Sequence, residues 1–219
     1  MNNDEEKGMN VLYNMLVKGA EFPGTTEMSP ASLNKWISHL ETLSSIMMQF
    51  YSSEMTNKYR EVRNKITVLS KGPMDDRHLL AGYDVGFELL GVIGNAFAAQ
   101  ELLAENPNGV KIIYDLFVEI ADFSRVNSFS PASILQLFNR IRGLHFILAS
   151  YMGEPFQREY RIIARQLREA SSLPLEEYIP QSREWLLNWV GLIARVLQER
   201  GILIPEEFSF SDRIGGAKK

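Results

Sequence analysis

The tetrapeptide Ser-Pro-Ala-Ser occurs twice, at residues 29–32 and 130–133, and the 101-residue interval between the copies holds over most of the chain. VLYNMLVKGAEF from Val11 lies over IIYDLFVEIADF from Ile112, pairing Tyr13 with Tyr114, Val17 with Val118, Ala20 with Ala121 and Phe22 with Phe123. Farther on, Leu43 meets Leu144, Ile46 meets Ile147, Tyr59-Arg60 meets Tyr160-Arg161 and Pro73 meets Pro174. A one-residue deletion then shortens the interval to 100, where Gly91, Ile93 and Leu103 meet Gly191, Ile193 and Leu203. Fifteen identities in the first register and three in the second, with shared turn residues and almost no gaps, imply a tandem duplication. Unrelated helices share apolar spacing; they do not share punctuation in register.

The implied organisation is an acidic, flexible N-terminus at residues 1–7, repeats at 8–105 and 109–204, and an extended C-terminal tail at 205–219. The joint, Glu105-Asn106-Pro107-Asn108-Gly109, is rich in turn formers and too short for a flexible linker. Each repeat reads as four helices, so the expected fold is all-α, with about eight helices and a pseudo-twofold relation between halves. Ser29 and Ser130 can accept a bond from a free amide at a helix start, with Pro30 and Pro131 at the position where a missing amide costs nothing. From there Leu33, Trp36, Ile37, Leu40, Leu43, Ile46, Met47 and Phe50 keep helical spacing, answered by Ile134, Leu137, Phe138, Ile141, Leu144, Ile147, Leu148 and Tyr151. A break is expected near Gly82 in the fourth helix, and Pro180 should cap or interrupt the eighth.

Composition narrows the function. With 45% hydrophobic and 23% charged residues among 219, the chain is a folded globular protein, and its lack of cysteine removes thiolate catalysis and cysteine-ligated metal. A net charge of -4 argues against a generally basic nucleic-acid coat. The apolar stretch at residues 79–104 is interrupted by Asp84, Glu88 and Glu101, so no membrane span is expected. The acidic start points to a cytoplasmic protein rather than a secreted one.

No residue constellation names a reaction, so no catalytic residue, cofactor or metal site is expected. His39, His78 and His145 are neither repeat-equivalent nor at ligand spacing. Asp75 and Asp76, near His78 and Asp84, fit a helix start better than an acid-base site. The Gly91–Gly94 group lacks the Lys-Ser or Lys-Thr of a phosphate loop. Residues 1–108 carry 9 basic and 14 acidic side chains, against 14 and 13 in 109–219. In the second half Arg158, Arg161, Arg165 and Arg168 share one helix face, and Arg60 and Arg63 are their looser counterparts in the first. These six are the candidate face for an anionic partner. Trp185, Trp189, Phe208 and Phe210 are the candidate protein contacts. The expected function is a non-catalytic protein-protein interaction or assembly protein; the alternative is a nucleic-acid-binding protein using the arginine-rich helix.

Overall fold

The fold was taken from a computed structural model, which describes residues 3–72, 75–125 and 129–203. The described residues form eight helices: α1 (Asn3–Thr25), α2 (Pro30–Met47), α3 (Ser53–Leu69), α4 (Asp76–Ala99), α5 (Pro107–Ser124), α6 (Pro131–Ile147), α7 (Glu154–Ala170) and α8 (Leu175–Glu199). Short 3-10 turns, Met48–Phe50 and Ala149–Tyr151, follow α2 and α6. No helix among the described residues is long and apolar enough to cross a membrane.

Capping follows the sequence signals. The Ser29 and Ser130 hydroxyls accept from the amides of Ser32 and Ser133, each at 3.1 Å, and Pro30 and Pro131 open their helices. Asp75 accepts from the His78 amide at 2.8 Å, which makes it a cap as its position implied. Three boundaries differ from expectation. α1 begins at Asn3 rather than near residue 8, and α4 runs through Gly82 without a break. Gly82 serves close approach instead: a Cβ there would lie 2.3 Å from Leu33 Cδ2. α8 also runs through Pro180, which forfeits only the bond to the carbonyl of Glu176, an exposed residue that solvent can reach.

A second internal proline, Pro23 in α1, is built into the core. Lacking an amide, it cannot donate to the carbonyl of Gly19 four residues back. The Trp36 indole N–H takes that carbonyl at 2.7 Å, while the Pro23 carbonyl accepts from Asn139 Nδ2 at 3.0 Å. Trp36 is itself fully buried against Tyr83 and Phe87, at ring separations of 5.4 and 5.0 Å.

Within the first half α1 packs on α2, and α2 and α3 pack on α4; within the second α5 packs on α6, and α6 and α7 pack on α8. The halves then share one core through a one-way contact. α1 and α4 both pack on α6, and the turn at Ala149–Tyr151 packs on α4. A twofold relation requires matching α5–α2 and α8–α2 contacts, and neither pair packs comparably among the described residues. The pseudo-twofold expectation therefore does not describe this joint. Its asymmetry has a local cause. Gly143 lets the backbone of α6 touch α1, where a Cβ would sit 2.3 Å from the Ala20 carbonyl oxygen, and Gly94 lets α4 touch the backbone of Ile147 in the same way. The corresponding positions, Thr42 and Ala194, carry side chains in place of these glycines.

Candidate interaction surfaces

The four arginines of α7 are all exposed along one side of a helix that buries only Ile163 and Ala170. Arg161 reaches Glu154 at 3.3 Å, but Arg158, Arg165 and Arg168 have no carboxylate partner among the described residues. Arg60 and Arg63 are exposed on α3, where Arg63 approaches Glu41 at 3.7 Å and stands over the Tyr59 ring. α3 packs on α4 and α7 on α8 without packing on each other, so the two basic helices are not joined into one grip.

The tryptophans part company. Trp189 is buried in the core of the second half, donating through its indole N–H to His145 Nδ1 at 3.2 Å, so it is no surface contact. The four-residue step to Trp185 looks like one face, but the turn of α8 leaves Trp185 half-buried on the rim of the α7–α8 groove. Phe208 and Phe210 lie outside the described residues.

His145 is equally structural. Burial first, and the nearby Arg142 guanidinium second, push its pKa down to about 4, so the ring is neutral near pH 7. With Nδ1 accepting from Trp189 the proton sits on Nε2, and the Tyr160 ring lies 4.1 Å away. His39 contacts the Met15 carbonyl and His78 the Asp75 carboxylate. No group of three or more potential metal ligands gathers among the described residues.

What the sequence did not reveal lies at aligned positions whose burial disagrees. Ile147 is fully buried, whereas its identical counterpart Ile46 is 41% exposed. Tyr151 is buried, donating to Glu105 at 2.9 Å, whereas Phe50 is exposed beside an exposed Met48. Ile46, Met48 and Phe50 thus put three exposed apolar side chains within five residues at the end of α2. On the opposite half, a groove of about 440 Å³ between α7 and α8 is lined by Ile162, Trp185, Leu187 and Gly191. Gly191 corresponds to Gly91, where a Cβ would meet Phe146 at 3.0 Å, yet a Cβ at Gly191 would meet nothing within 4 Å. The signal that could have found these surfaces is the unlike residues at equivalent positions, such as Ser45 against Phe146 and Thr42 against Gly143.

Arg142 fastens the joint between the halves. Its guanidinium bonds Asp84 of α4 at 2.7 Å and lies 4.3 Å from the Phe87 ring centre, with Phe146 stacked on Phe87 at 5.8 Å. Comparison with protein families, with curated proteins and with solved structures gives no match for this chain.

Proposed function

We propose that this chain is a non-catalytic helical assembly protein, formed by end-to-end duplication of a four-helix unit, whose partners are other protein chains. The duplication is supported by helix boundaries as well as by residues: α3 and α7 start and stop 101 residues apart, and both α2 and α6 run into a 3-10 turn. The observation that carries the assembly reading is the pair of unequal ends. The first unit leaves Ile46, Met48 and Phe50 exposed where the aligned Ile147 and Tyr151 are buried, and the second leaves open the groove at Gly191, whose counterpart Gly91 lies against Phe146 at the central joint. A contact between unlike faces that repeats without closing builds chains or docks unlike partners. Thr42 and Arg125, standing where Gly143 and Gly24 let α1 cross α6, restrict such a contact to the α8 groove.

Light scattering after size exclusion, across a concentration series, tests this reading. Association or a captured protein partner should be lost in the double variant Met48→Glu, Phe50→Glu. A wild-type chain that stays strictly monomeric and takes no partner from its native extract would refute it.

Arg158, Arg165 and Arg168, exposed and without a carboxylate partner among the described residues, support a second reading, nucleic-acid binding through the α7 face. It requires affinity that falls steeply with salt and drops when Arg161 and Arg165 become Glu. The absence of any mobility shift at low salt would end it.

A further inference from the structure

The two halves treat one equivalent space differently. Between α2, α3 and α4 the first half keeps only about 50 Å³, bordered by Leu33, Ile37, Ile66, Ser70 and Gly82. Between α6, α7 and α8 the second half opens about 370 Å³, bordered at the same repeat positions by Ile134, Phe138, Leu167, Ser171 and Ser182. In the first half the Leu33 methyl packs onto bare Gly82 and fills the floor. In the second, buried Ile134 and Ser182 stand there, and the larger space they border stays open.

The open space is chemically equipped. Ser182 is 1% exposed, and its hydroxyl has no hydrogen-bond partner among the described residues. A hydroxyl buried without a partner is costly, and here it lines a cavity. Partly exposed Phe138, Tyr160, Leu167 and Tyr178 supply the walls, backed by buried Trp189 and Leu186. At the rim stand Asp84, already neutralised by Arg142 at 2.7 Å, and Arg168, exposed and without a carboxylate partner among the described residues. The surplus charge is therefore positive. Its volume falls at the lower end of small-molecule sites, roughly 300–1,000 Å³.

We propose that the cavity enclosed by α6, α7 and α8 is a binding site for a small aromatic or alicyclic carboxylate. The ligand's ring lies against the partly exposed Phe138, Tyr160 and Leu167, and its carboxylate pairs with Arg168 at the mouth. This inference is independent of the assembly reading and holds or fails in a monomer.

Calorimetric titration of the full chain with 2-naphthoate, and with neutral 2-naphthylmethanol, tests it. One saturable naphthoate site is expected, with the alcohol about tenfold weaker. Arg168→Gln, at an exposed position that does not endanger folding, should weaken naphthoate by about tenfold and leave the alcohol unchanged. Ala164→Leu, which fills the cavity from α7, should abolish both. Ser182→Ala should raise the melting temperature of the free protein. Failure of naphthoate to saturate at millimolar concentration overturns the proposal. So does binding that is unchanged in both Arg168→Gln and Ala164→Leu, which would place the probe on another surface.

Discussion

Replacing Gly143 by Ala adds one methyl group where two backbones meet. That carbon would lie 2.3 Å from the Ala20 carbonyl oxygen, 3.1 Å from its carbon and 3.3 Å from its Cα. A relaxed carbon-to-carbonyl contact is about 3.3 Å or more, so α1 must withdraw by about 1 Å. No side chain can rotate out of the way, because the obstacle is main chain. Withdrawal also strains the buried bond from Asn139 to the Pro23 carbonyl, 3.0 Å long, on the next turn of the same contact. Overpacking of this kind costs about 1–3 kcal/mol, and loosening the buried bond about 1 more. Against this, alanine favours the helix over glycine by about 1 kcal/mol. The net expectation is a loss of about 2 kcal/mol, or roughly 4–8 °C in melting temperature for a chain of this size. Gly191→Ala is the matched control: it carries the same helix preference and meets nothing within 4 Å, so it should gain up to about 1 kcal/mol. Urea unfolding and calorimetry at low protein concentration measure both. A Gly143→Ala protein as stable as the wild type would refute the claim that α1 and α6 touch through their backbones.

Trp36→Phe should destabilise by about 2–4 kcal/mol, because it shrinks a filled core site and strands the Gly19 carbonyl that Trp36 satisfies. Adding Pro23→Ala restores an amide four residues along and should recover about 1 kcal/mol in a double-mutant cycle; no coupling between the two sites would refute the link. His145 remains neutral in the fold down to about pH 4, whereas the unfolded chain takes up its proton near 6.5. Stability is thus complete above pH 6.5 and falls by up to about 3 kcal/mol on the way to pH 4. His145→Gln should flatten that part of the pH profile, and parallel profiles would count against the assignment. Burial, and then the neighbouring Glu119, raise the pKa of Glu21, so its ionisation works against folding as pH rises above the ordinary glutamate range. Glu21→Gln should therefore raise the melting temperature at pH 7 and have little effect in acid.

The arginine face of α7 was readable because exposure of a helix packed on one side follows from local spacing. The cavity was not. It depends on Ile134 and Ser182, far apart in sequence, standing where Leu33 and Gly82 close the equivalent space. The spacing of Trp185 and Trp189 likewise gave no hint that one would be buried on His145 and the other left at a groove, since that depends on where α6 and α7 lie against α8.

Helix starts at Ser29 and Ser130, the buried stripe of α2 through Leu33, Trp36, Leu40 and Leu43 with its counterpart in α6, and the all-helical character were settled by neighbours within a few turns, which is why sequence alone determined them. Ile46 and Ile147 mark where that reach ends. They are the same residue in the same register of the same kind of helix, yet one faces solvent and the other is sealed. Only the crossing of α4 and α1 over α6 decides between them, and that crossing rests on glycines at 94 and 143 meeting backbone from distant parts of the chain. Periodicity states which face of a helix is apolar; which apolar face finds a partner depends on shape complementarity across the fold.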